Sequence, residues 1–232
     1  MDAAGNVYVA EQAARRIRVL SPEGETLRML ESPSLVRPID IALDEARGRL
    51  YVADGARQHS PEHFVRVLDL EGNDLFRIGL GRGNEPGELL FPTYLAVAPD
   101  GRLFVSDTMN ARISVFDPDG AFVRTIGARG DGWGLFDKPK GVAFDSFGNL
   151  YVVDSSWSIV QIFGPQDDAL LYFGGRGSHA GLLRNPTAIA IARASGENRI
   201  FVADYLNRRL SIYRLVNTAP GDGVASPSEA PS

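Results

Sequence analysis

Five short runs along the chain, "YVAE", "YVAD", "FVSD", "YVVD" and "FVAD", are apolar at successive positions and close on an acid. A strand that is apolar on consecutive rather than alternate residues has both faces buried. Each run sits inside a larger unit. After Pro139 the chain reads "KGVAFD", the turn "SFGN", the run "LYVVD", the loop "SSWS", the run "IVQIF", the turn "GPQDD" and the run "ALLYFG". Four short apolar runs joined by Gly, Asp and Asn turns predict an antiparallel meander. Units of the same order begin at Pro92 and at Pro38, the latter with a longer second loop. The last unit, from Pro186, ends after its third strand, and the first starts at its second. The expectation is five units with three, four, four, four and three strands, and no helical period.

The connections between units recur as well. An Arg-Gly pair, a glycine four residues on and a proline five further place glycines at 83, 130 and 177 and prolines at 92, 139 and 186. Both series step by 47 residues. A repeat of this length decides architecture. Four-stranded sheets buried on both faces and joined by one kind of loop predict an all-β fold, a β-propeller of four-stranded antiparallel blades. Glycine permits the reversal between blades, and proline at a strand entrance removes an amide that has no ladder partner. Leu89, Phe136 and Leu183, two residues past the second glycine of each loop, are expected to plug the gaps between blades. Residues 1–216 are assigned to the propeller. The Pro, Ser and Gly-rich stretch 217–232 has nothing to bury and reads as a disordered tail.

The pattern "P-x-G-[IV]-A-x-D-x-x-G-N-[LV]-Y-V-[AV]-D", followed by "N-x-R-I" and "G-x-[FL]-x-x-P", resembles the NHL repeat of bacterial and animal propellers. Asp107 with Asn110, Arg112 and Ile113 fits it well, as does Asp204 with Asn207, Arg209 and Leu210. Glu11 replaces the aspartate in the first repeat, and Trp157 with Ile159 replaces Asn and Arg in the fourth. The resemblance implies six blades, of which about five repeats are visible. Met1 aligns with the last core position of a first strand, so an N-terminal portion holding at least one inner strand is expected to be missing. Any export signal would lie there. A bacterial, extracytoplasmic protein, periplasmic or secreted, is the expectation.

The chain carries a formal net charge of −5, has a pI near 5.3 and contains no cysteine. Disulfides and thiolate sites are therefore excluded, and the acidic balance argues against nucleic acid as partner. No apolar run reaches membrane-spanning length. Up-and-down strands send the second-to-third loops and the inter-blade loops to one rim, the top, and the hairpin turns to an acidic underside. On the top fall Arg37, Arg112, Lys140, Arg184, Arg208 and Arg209, with Tyr94, Met109, Trp133, Trp157, His179 and Tyr205. Arginines and large aromatics on loops are the composition of a contact surface. They are assigned to binding a protein, a peptide or an anionic small ligand. Asp54, Asp107, Asp154 and Asp204, which end the second strands, are assigned to capping loops.

Relatives of this architecture include metal-dependent lyases and lactonases. A catalytic zinc wants three convergent ligands. His59 and His63 share one loop, both expected toward the periphery, and His179 lies two units later. "DPDG" at Asp117 lacks the further ligands of a calcium loop. "GSHAG" does not have nucleophile-elbow spacing, and no phosphate loop or dinucleotide fingerprint occurs. The expectation is a non-catalytic scaffold without cofactor. The alternative is a metal-assisted lyase or hydrolase, lactonase-like or amidating-lyase-like, using zinc or calcium at the top of the central channel.

Overall fold

The computed structural model describes residues 1–55, 60–194 and 197–215; the expected tail, 217–232, lies outside them. Among the described residues eighteen strands form five antiparallel sheets. The first holds β1 (Val7–Glu11), β2 (Arg16–Leu20) and β3 (Thr26–Glu31). The second holds β4 (Pro38–Asp44), β5 (Arg49–Asp54), β6 (Val65–Asp69) and β7 (Asp74–Ile78). The third holds β8 (Pro92–Val97), β9 (Leu103–Asp107), β10 (Arg112–Phe116) and β11 (Phe122–Ile126). The fourth holds β12 (Pro139–Phe144), β13 (Leu150–Asp154), β14 (Ile159–Phe163) and β15 (Ala169–Gly174). The last holds β16 (Pro186–Ala194), β17 (Glu197–Asp204) and β18 (Arg209–Arg214). Within each sheet the strands pair in chain order, as a meander does. The leading strands β1, β4, β8, β12 and β16 neighbour one another in sequence, so the sheets stand side by side around a common inner edge. The described chain is a β-propeller.

Four apolar cores lie between successive sheets, and the period-two alternation of a strand feeds two of them at once. On β5, Leu50 and Val52 pack toward the first sheet, while Tyr51 and Ala53 pack toward the third. On β13, Leu150 and Val152 face the third sheet, and Tyr151 and Val153 face the last. β9 and β13 are buried at every residue. The end sheets differ from the sequence expectation. On β17, Ile200 and Val202 are buried, but Phe201 and Ala203 are only half-buried, and Leu210 and Ile212 on β18 are exposed. Val7 and Val9 on β1 are exposed too. Among the described residues no further sheet covers these outer faces.

The inter-sheet loops are three copies of one structure. Arg82 bridges Leu89, Arg129 bridges Phe136 and Arg176 bridges Leu183, each in a parallel pair. Leu89, Phe136 and Leu183 are fully buried in successive inter-sheet cores, as the spacing predicts. Gly134 in this loop sits at φ 75°, a left-handed conformation that a side chain would strain. On the opposite rim the acidic residues are turn formers. Asp69, Asp117 and Asp145 each accept two backbone N–H groups from the residues two and four positions on. No helix among the described residues is long and apolar enough to cross a membrane.

Candidate functional site

The rim that carries the inter-sheet loops is organised by the acids that end the second strands. Asp107 is fully buried; it accepts the backbone N–H of Leu90 at 2.6 Å, Asn110 Nδ2 at 2.8 Å and Arg112 Nε at 2.8 Å. Asp204 repeats this with Arg184 N–H at 2.7 Å, Asn207 Nδ2 at 2.8 Å and Arg209 Nε at 2.8 Å. Burial raises the Asp107 carboxyl above its ordinary pKa, against the pull of Asn110, the Leu90 amide and Arg112. In the second sheet Asp54 takes the backbone N–H groups of Val36 and Arg37 and pairs with the buried Arg66 at 2.6 Å.

Arg112 and Arg209 belong to this framework. Beyond its aspartate, Arg112 donates to the carbonyls of Asn84, Glu85 and Glu88. Arg209 donates likewise to Ser178, His179 and Leu182. Their guanidinium groups turn inward because each loop presents carbonyls that have no strand partner. Their side chains hold the rim together.

The fourth sheet departs from that scheme. Ile159 stands where the first, third and last sheets have arginine, and the carbonyl of Leu135 is taken by Gln161 Nε2 at 2.7 Å. Trp157 stands where the third and last sheets have asparagine. Asp154 compensates by accepting the backbone N–H groups of Ser156 at 3.0 Å and Trp157 at 3.1 Å, with Asp137 at 2.8 Å. The Trp157 indole, with no clamp to make, is left 43% exposed. Around it the rim shows Met109 at 45%, Leu206 at 49% and Tyr205 at 64% exposure. Arg37, Arg184, Arg208 and His179 are also exposed.

Trp133 sits elsewhere. Its loop dips along the face of the fourth sheet, where the indole Nε1 donates to Ala169 O at 3.0 Å and the ring meets Tyr172 edge-on at 5.4 Å. It therefore belongs to the side wall, half-exposed on the outer strand β15.

Tyr94 and Lys140 face inward from the leading strands. Burial lowers the Lys140 ammonium, with Lys138 adding to the effect. Burial raises the Tyr94 phenol, with Asp40 adding to it, and Thr187 of the last sheet lies within hydrogen-bonding reach of the hydroxyl. Asp40 itself accepts the Leu95 N–H at 2.8 Å, and burial pushes it up to about 6. This inner cluster escaped the sequence reading. The signal was there: Asp40 and Tyr94 occupy the position that Gly141 and Ala188 hold in the other leading strands.

Among the described residues, His63 and His179 fall in no cluster placed to hold a metal. His59 lies outside the described residues. His63 is fully buried, and its Nδ1 accepts the Phe91 N–H at 2.9 Å with the two rings edge-on. Phe91 is in a left-handed conformation, φ 55°, which aims its N–H at the preceding sheet, away from its own. Asn185, φ 50°, repeats the device by donating to Ser158 Oγ at 3.3 Å. Among the described residues no group of three or more His, Asp or Glu side chains is placed to hold a metal.

A family described as a 6-bladed beta-propeller matches residues 95–162. Peptidyl-glycine alpha-amidating monooxygenase A of Xenopus laevis is 28% identical over 142 residues, 54% of this chain and 14% of that protein. RING finger protein nhl-1 of Caenorhabditis elegans is 39% identical over 62 residues, 27% of this chain and 6% of that protein. The chain thus spans a small part of the length of these relatives. Among solved structures, that of a streptogramin B lyase superposes with a TM-score of 0.63 at 15% identity, over 94% of this chain and 67% of that one. A chain from a nidogen/laminin complex superposes at 0.60 and 20% identity, over 91% of this chain and 76% of that one. Identities this low show the fold alone. Together the meanders, the shared loops and these likenesses define the chain as a β-propeller with NHL-like repeats.

Proposed function

We propose that this propeller is a non-catalytic binding module whose loop rim docks a protein or peptide. The reading rests chiefly on one observation: Met109, Trp157, Tyr205 and Leu206, from the loops of three successive sheets, leave large apolar surfaces exposed on one rim. Such clusters mark interaction sites, and Trp and Tyr dominate binding energy where they occur. Trp157 and Tyr205 are the anchors in this proposal. Arg184 and Arg208, exposed beside them, orient an anionic group of the partner, and Arg37 extends the positive character of the rim. Arg112 and Arg209 support the loops.

The test is to pan a random peptide library against the immobilised chain and titrate the recovered peptide against variants. Trp157→Ser with Tyr205→Ser should weaken binding at least about a hundredfold, the range of two anchor residues. Phe147→Ser, on the opposite rim, should leave it unchanged. The reverse order would refute the assigned face.

The competing reading is a metal-assisted lyase or hydrolase. The names of the amidating monooxygenase and of the streptogramin B lyase favour it, although a shared fold carries unrelated activities. Under it, metal analysis of the purified chain should find stoichiometric zinc or calcium that is lost on replacing His59 or His179.

A further inference from the structure

The loop joining the fourth and last sheets repeats its neighbour with the sign of one charge reversed. In the loop joining the third and fourth sheets, Arg129 pairs with Asp137 at 2.9 Å and donates to Met109 O at 2.8 Å. One repeat later Arg176 takes the place of Arg129, and Arg184, seven residues after Gly177 as Asp137 is after Gly130, takes the place of the aspartate. The internal ion pair is thereby replaced by two like charges. Both arginines are exposed, and both line a cleft of about 380 Å³ with Ser155, Ser156, Ser158 and Leu206.

No residue lining this cleft is acidic. The aspartates at the neighbouring strand ends do not neutralise it. Asp204 is buried and occupied by the Arg184 N–H, Asn207 and Arg209, and Asp154 is buried and occupied by backbone N–H groups. Among the described residues the Arg176 guanidinium makes one long contact, 3.4 Å, to Ser156 O. Two guanidinium groups on a cleft with no acidic wall match an oxyanion, because arginine presents paired donors to a carboxylate or phosphate. The cleft is larger than a single small anion, and Leu206 on its wall with Trp157 next to Ser156 and Ser158 supplies apolar surface. A carboxylate carried on an apolar chain fits both features.

We infer that this cleft is the receptor for an acidic side chain of a docked peptide, held by Arg184 and Arg176. The inference rests on the binding reading above and names the chemistry that the rim selects.

Two dye-labelled heptapeptides of apolar residues, differing only in a central Glu or Gln, test it by fluorescence anisotropy on the whole chain. The Glu peptide should bind at least about tenfold more tightly, as charge-assisted hydrogen bonds imply. Acetate should compete with it at least as well as inorganic phosphate does. Arg184→Asp, which recreates the pairing seen between Arg129 and Asp137 and so preserves the loop, should erase the preference, and Arg184→Lys should keep part of it. Equal affinity of the two peptides, unchanged preference in Arg184→Asp, stronger competition by phosphate, or no saturable signal would overturn the assignment. If both peptides bind equally and the Trp157 and Tyr205 double variant loses them, the docking rim stands and the acidic receptor alone falls.

Discussion

Arg112 donates its Nε–H to Asp107 at 2.8 Å, and through its other N–H groups it ties that buried carboxylate to three carbonyls of the loop between the second and third sheets. One residue thus joins a strand end to the connection that precedes its sheet. The same arrangement around Asp204 and Arg209 shows that it is a repeating part of the scaffold.

Replacing Arg112 with Met leaves Asp107 buried without its cation. Removing one partner of a buried pair is strongly destabilising, about 3–5 kcal/mol, because the remaining charge is uncompensated. Adding Asp107→Asn to Arg112→Met should restore part of the loss, which urea unfolding would read. A double variant no more stable than the single one would show that the loop carbonyls, rather than the carboxylate, set the penalty.

Asp40 makes stability depend on pH in the direction opposite to an ion-paired acid. Its carboxyl is raised from 3.8 to about 6 by burial, and the groups facing it are the Leu95 and Ile41 amides and the Tyr94 phenol, with no cation among them. A group whose folded pKa is raised contributes stability that is complete below its unfolded pKa and is lost as pH climbs through the folded value. Relative to Asp40→Asn, the wild-type chain should therefore lose about 1–3 kcal/mol between pH 4 and pH 7. Thermal unfolding at the two pH values checks this. Wild type gaining on the variant as pH rises would contradict it.

Phe136 and Trp133 stand three residues apart in one loop and should behave differently. Phe136 is fully buried in the core between the third and fourth sheets, so Phe136→Ala should cost about 3–5 kcal/mol. Trp133 packs on Tyr172 at the exposed side wall, and its loss should cost about 0.5–1.5 kcal/mol. Comparable losses in guanidinium melts would mean that Trp133 is part of the core.

The strands and their order were legible because burial on both faces is written directly as consecutive apolar residues in "LYVAD", "LFVSD" and "LYVVD". "YVAE" and "FVAD" carry the same pattern yet are covered on one side only, since a strand's own residues do not reveal whether another sheet lies beyond it. Arg112 and Arg209 read as exposed cations from residue type. Their inward role is set by the carbonyls of a loop some 25 to 30 residues earlier in the chain, a relation that only the folded repeat supplies. His63 was illegible for another reason: it lies in an irregular loop, where no alternation fixes which way a side chain points. The contrast between Asp137 and Arg184 was present in the sequence from the start. It gained meaning once Arg129 was seen to pair with the first of them.

Hydroxyl-radical footprinting of the chain with and without the recovered peptide bears most directly on the claim that the loop rim is the docking face. Met109, Trp157 and Tyr205 are oxidisable, exposed and grouped on that rim, while Phe147, 64% exposed, reports from the opposite one. The account predicts protection of the first three and none at Phe147. Protection at Phe147, with the rim residues oxidised as in the free chain, would contradict it.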